Sequence, residues 1–133
     1  MLNSLRNLFV KAMPIRQHRR WPRILMAEPV RLTLEAGESR SAILYQIGAG
    51  GARVKVSQSL QPGAVIGVDF RTGAREYHRL KARVVHVVKE GRGFNWACGL
   101  CFEHVDPKEI QRIADYVEEE RKRREVGFAM PTN

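Results

Sequence analysis

From residue 30 onward the chain changes its hydrophobic period to two, and it keeps that period through six short runs separated by turn signals. In "VRLTLE" Val30, Leu32 and Leu34 point one way and Arg31, Thr33 and Glu35 the other. "AGES" turns, and "SAILYQI" is a second run. "GAGG" at 48–51 breaks the chain before "ARVKVS", where Ala52, Val54 and Val56 share a face. Pro62-Gly63 turns into "AVIGVDF". The fifth run is long, with Leu80, Ala82, Val84 and Val88 expected on the core side and His86 at its rim. The sixth, "FNWACGLCFEH", aligns Phe94, Trp96, Cys98, Leu100 and Phe102. Each run has one polar face, so one side of the sheet is in water. Six strands at short spacing, joined by tight turns, predict a mainly β fold, an antiparallel barrel or sandwich.

Helices are expected at both ends. Residues 1–13 place Leu2, Leu5, Leu8, Phe9, Ala12 and Met13 at helical spacing, and Pro14 ends that amphipathic segment. The second helix has a clear start. Asp106 suits the N-cap, Pro107 the first helical position, and Glu109 a capping box. Ile110, Ile113, Ala114 and Val117 form its buried stripe. The following "EEERKRRE" has no stripe and reads as a solvated extension held by Glu118–Lys122, Glu119–Arg123 and Glu120–Arg124 pairs. The organisation expected is a helix at 1–13, a basic arm at 14–23, a barrel at 24–105, a helix at 106–125 and a tail at 126–133.

Charge narrows the function. The 133-residue chain has a formal charge of +9, and six of the nine surplus positive charges fall in residues 1–27, which hold no acid. Arg16, Arg19, Arg20 and Arg23 crowd "RQHRRWPRI", so the expected partner is anionic. A guanidinium presents a planar donor fork that fits two phosphate oxygens, or O6 and N7 of guanine. The glycines of "QIGAGG", residues 46–51, offer a side-chain-free lip against which an anion can be pressed.

"RRWPR", then "QIGAGGARV", then "GLCFEHVDPKEIQRIADYV" together resemble the PilZ domain family over about residues 16–120. The family pattern is Arg-x-x-x-Arg, then (Asp/Asn)-x-Ser-x-x-Gly, then a six-stranded antiparallel barrel ending in a helix, so the resemblance implies that fold for this chain. Arg19 and Arg23 match the arginine pair, with Arg20 between them. Arg16 and Arg20 fit the same spacing. Gln46 takes the Asp/Asn position, Gly48 the Ser position and Gly51 the final Gly. The resemblance implies a bacterial cytoplasmic sensor whose ligand is cyclic di-GMP and whose readout is a downstream protein effector. It implies that Arg19, Arg20 and Arg23 grip phosphates and guanine edges and that Gly51 lets the strand approach the ligand. Gln46 supplies a neutral acceptor where the pattern has a carboxylate, and Gly48 lacks the hydroxyl. The alternative is a degenerate PilZ module that has lost the nucleotide and works through protein contacts in motility or pilus assembly.

Other chemistry is expected to be absent. Cys98 and Cys101 lie three apart in a strand, which sends the two sulfurs to opposite faces. Such a pair suits neither a thioredoxin-like site at a helix N-terminus nor, with no second cysteine pair, a zinc centre. No nucleophile–base–acid set or metal cluster is evident, so an enzyme, a cofactor and a metal are not expected. Apart from Trp21, no aromatic interleaves with the basic residues of the arm, which argues against nucleic acid. The first helix is left open between packing on the barrel, self-association as a homodimer and docking on a partner; contact with a membrane surface is the less favoured use of its apolar face.

Overall fold

The structure is a computed structural model that describes residues 22–91 and 95–129. The expected first helix and most of the basic arm, Arg16, Arg19 and Arg20 included, lie outside the described residues. Six strands follow: β1 Arg23–Thr33, β2 Ser39–Gly48, β3 Gly51–Val56, β4 Val65–Thr72, β5 Arg75–Lys89 and β6 Trp96–Phe102. One helix, α1 Pro107–Ala129, completes the described chain. The strands close into an antiparallel barrel in the order β1-β2-β3-β6-β5-β4.

Alternation builds the core as the sequence predicts. Leu32, Leu44, Ile47, Val54, Val56, Val68, Ala82 and Val84 are buried inside, and Phe70 stacks on Tyr77 and on Phe102. Trp96 packs against this core from its edge and takes the Lys89 ammonium over its ring at 5.3 Å. The β5 expectation needs correction at its end. Val85 is an extra residue between the Val84–Leu100 and His86–Gly99 pairs, a β-bulge. One extra residue exchanges the two faces of everything beyond it. Val87 therefore packs against the core, Val88 is exposed, and His86 stands outside the barrel rather than on the apolar face.

Closure is uneven. β1 pairs with β2 along nearly its whole length but with β4 only through Arg31–Asp69, Leu32–Val68 and Thr33–Gly67. Among the described residues the first part of β1 thus has no strand on its second side, and α1 packs against β1 and β2. Ile113 and Val117 sink fully into the core, and the Arg124 guanidinium donates to the Leu25 carbonyl at 2.8 Å. Covering an unpaired strand edge with a helix satisfies backbone groups that would otherwise template association.

The start of α1 follows expectation in part. Asp106 Oδ1 accepts the Lys108 N–H at 2.9 Å, as an N-cap should. The Glu109 carboxylate, however, pairs with Arg112 instead of closing a capping box. Of the three expected i,i+4 pairs only Glu120–Arg124 forms; Glu118 takes Arg121, and Glu120 also takes Arg123. Glu120 is buried beneath these arginines, so this stretch is not uniformly solvated. The backbone stays helical to Ala129, past the expected limit at 125. Propagating a formed helix adds one hydrogen bond per residue, and a single Gly127 costs only ~1 kcal/mol.

Candidate functional site

The site is built where the basic arm enters the barrel. Arg23 is the first residue of β1 and lies opposite Gly48, the last of β2. Its Nη1 donates to Gln46 Oε1 at 3.2 Å. A Cβ on Gly48 would stand 2.8 Å from the Pro22 carbonyl oxygen and 2.9 Å from Arg23 Cγ. The missing side chain at 48 is thus filled by the end of the arm, which rests directly on the lip. Gly51 has a different reason to be glycine. A Cβ there would lie 2.0 Å from the Leu100 carbonyl oxygen, so its absence lets β3 and β6 pair. Around the lip Ile47 and Ala49 are buried, and the Gly50 carbonyl accepts the Phe102 N–H at 3.0 Å.

Strand register extends the site beyond the residues named from sequence. Leu25 pairs with Gln46, Gln46 with Arg53, Arg53 with Gly99, and Gly99 with His86. These residues form one row across β1, β2, β3, β6 and β5. His86 lies over Gly99, its ring atoms 3.0–3.4 Å from where a Cβ would stand. Along the row lie an exposed apolar side chain (Leu25), an amide, two guanidinium groups counting Arg23, and an exposed imidazole. Neither Arg23 nor Arg53 forms an ion pair among the described residues. Arg53 was legible in principle, because two residues past Gly51 in an alternating strand it must face out beside Gln46. His86 was hidden by the bulge at Val85.

Elsewhere on the barrel one arginine is fully engaged. Arg83 makes a two-pronged bond to the Glu103 carboxylate, 2.5 and 3.1 Å, and a third to the Gly63 carbonyl at 2.8 Å. The Arg83 hydrogen bonds hold the Glu103 carboxyl below its ordinary range, and Glu103 in turn raises the Arg83 pKa. Burial pushes both thiols up, Cys101 further through the neighbouring Glu103 charge. Cys98 is buried and Cys101 half-buried, and both are free thiols. Among the described residues no three His, Cys, Asp or Glu side chains cluster as metal ligands, and no helix is long and apolar enough to cross a membrane.

A family model for the PilZ domain matches residues 17–119, most of the sequence. The chain belongs to the PilZ domain family. Solved PilZ structures share its fold. The Bacillus subtilis inhibitor of motility MotI/DgrA is 19% identical with a TM-score of 0.66, over 77% of this chain and 51% of that one. Escherichia coli YcgR in complex with c-di-GMP is 18% identical with a TM-score of 0.67, over 83% of this chain and 49% of that one. The isolated PilZ domain of YcgR with c-di-GMP is 18% identical with a TM-score of 0.63, covering 81% of this chain and 95% of that one. This PilZ chain therefore spans about half the length of the first two. No protein of curated function matches it.

Proposed function

We propose that this PilZ protein is a cyclic di-GMP sensor that takes the nucleotide between its arginine arm and the outer row Gln46–Arg53–Gly99–His86, and that a protein partner reads the change. The observation that carries the reading is Arg23. Its guanidinium already lies on the lip, held among the described residues by a neutral amide at 3.2 Å that a phosphate or a guanine edge can replace. The Arg23–Gln46 bond is a single bond to a neutral acceptor, whereas a phosphate offers a full opposite charge and a two-pronged fit to the guanidinium, so the exchange favours ligand. In this reading Arg19 and Arg20 join Arg23 on the phosphates, Gln46 accepts from a guanine edge, and Gly48 and Gly51 keep the lip low. Arg53 and His86 flank the base. Two related PilZ structures contain c-di-GMP, which supports the ligand class.

Calorimetric titration of the full chain with cyclic di-GMP tests the reading. Heat with saturation in the micromolar range or tighter is expected. Arg23→Ala should weaken binding at least tenfold, since ~1.4 kcal/mol is a factor of ten, and Gln46→Asp should tighten it. Absence of heat at high micromolar nucleotide rules the sensor out. The second reading, a PilZ module that works without nucleotide in motility or pilus assembly, is favoured by one observation: the Pro22 carbonyl and the Arg23 stem already fill the space above Gly48. Partner capture independent of cyclic di-GMP would select it.

A further inference from the structure

A second outer row lies at the short β1–β4 junction, away from the nucleotide row. Thr33 of β1 pairs with Gly67 of β4, and Gly67 with Lys81 of β5. The bare Gly67 between two side-chain-bearing neighbours leaves a groove of about 350 Å³. It is lined by Thr33, by the half-buried Leu34 and Val65, by Ile66, whose side chain turns into the core, and by Arg79 and Lys81. Arg79 adopts a left-handed backbone, φ 51°, which bulky residues seldom do. Two contacts impose this. The Arg79 N–H donates to Asp69 Oδ1 at 2.6 Å, and Gly67 permits the approach, since a Cβ there would come within 3.3 Å of Arg79 Cα and Cβ. The strain aims one guanidinium at the groove rim and uses Asp69, the acid beside it, on a backbone group. Arg31, paired in register with Asp69, adds a third exposed cation. Arg31, Arg79 and Lys81 form no ion pairs among the described residues, whereas Arg71 and Arg83 nearby are taken by Glu76 and Glu103.

We infer that this groove is a docking surface for an acidic segment of a protein partner, one that places an aliphatic or aromatic side chain against Leu34 and Val65 while its carboxylates meet Arg79, Lys81 and Arg31. Charge complementarity selects the occupant. The three cations outnumber Asp69, the acid in register with Arg31, and the apolar surface beside them suits a side chain rather than a bare anion. Nucleic acid is disfavoured because no aromatic lines the groove. Recognition at the cationic wall is through side chains, since Gly67 beside it is already paired with both Thr33 and Lys81. The inference does not depend on nucleotide binding.

Fluorescence anisotropy of the full chain, without nucleotide, tests it with a labelled glutamate-rich dodecapeptide bearing two central leucines. Micromolar binding is expected. Arg79→Glu with Lys81→Glu should weaken it at least tenfold, and the milder Arg79→Gln with Lys81→Gln several-fold. Lys108→Glu with Lys122→Glu changes net charge equally at exposed helix positions and should leave affinity within about threefold. Replacing the leucines by serine should cost at least fivefold. Circular dichroism melts confirm that each variant is folded. The assignment is overturned by absence of peptide binding, by equal losses in both charge-reversal pairs, or by a serine peptide that binds as well. It is also overturned if phosphatidylglycerol vesicles or duplex DNA, in place of the peptide, show the Arg79 and Lys81 dependence.

Discussion

Gly48 and Gly51 sit three residues apart in one motif, yet the structure gives them unlike tasks. At 51 the obstacle to a side chain is a backbone carbonyl of the neighbouring strand, 2.0 Å from the Cβ position, and backbone cannot step aside. Gly51→Ala should therefore destabilise the barrel by about 3 kcal/mol, the upper end of overpacking effects, read as a lowered urea midpoint. At 48 the obstacles are the Pro22 carbonyl and the Arg23 stem. Gly48→Ser, which restores the family pattern, should leave the barrel folded but lift the arm, so cyclic di-GMP affinity falls unless Gln46→Asp accompanies it. Calorimetry on the single and double variants separates the two. The Arg83–Glu103 pair makes a pH prediction. Its folded-state effect is to lower the Glu103 pKa, so its stabilisation is fully present above the ordinary value of 4.5 and is lost as pH falls through the depressed one. Urea melts should show Glu103→Gln less stable than the parent at neutral pH, with the gap closing in acid. An undiminished gap at pH near 2 would refute this account.

At the scale of elements, what could be read in advance followed from period. Ala52, Val54 and Val56 face inward in β3 because nothing interrupts their alternation. Bulges interrupt it elsewhere and leave no mark in composition. One sits at Val85 and another at Tyr45, where Leu44 pairs with Val54 but Gln46 already with Arg53. Those slips decide that Gln46 and His86 lie outside on one row, so the nucleotide row could not be assembled from sequence. The glycine lip and Arg23 beside it were legible because they depend on residue type alone; Arg16, Arg19 and Arg20 lie outside the described residues. The helix stripe was legible too, and its purpose came only from topology: α1 covers the side of β1 that β4 leaves unpaired. Ile113→Ala should cost about 2–5 kcal/mol, the range for a deeply buried aliphatic side chain, seen as a lower melting temperature. Arg124→Ala should cost less than 1.5 kcal/mol but speed hydrogen exchange around Leu25, since it removes one capped carbonyl rather than a core contact.

Taken whole, the chain spreads its positive charge unevenly along its sequence. Most of the surplus positive charge belongs to residues 1–27, while around the barrel Arg71, Arg83 and Arg112 each face a carboxylate. A ligand that engages the arm acts on the free energy of the entire fold, because Arg23 is itself part of β1. Cyclic di-GMP at a hundredfold excess over its dissociation constant should add about 2.7 kcal/mol and raise the melting temperature by on the order of 10 °C. Differential scanning fluorimetry reads this directly, and an unchanged melt at saturating nucleotide contradicts it. The three-pair junction between β1 and β4 gives that shift a mechanical meaning. A ring of staves opens first at its shortest joint, and here the stave beside that joint is the one that emerges from the arginine strap. Whatever grasps the strap tightens the hoop, so the messenger's occupancy would be written into how readily the cask comes undone.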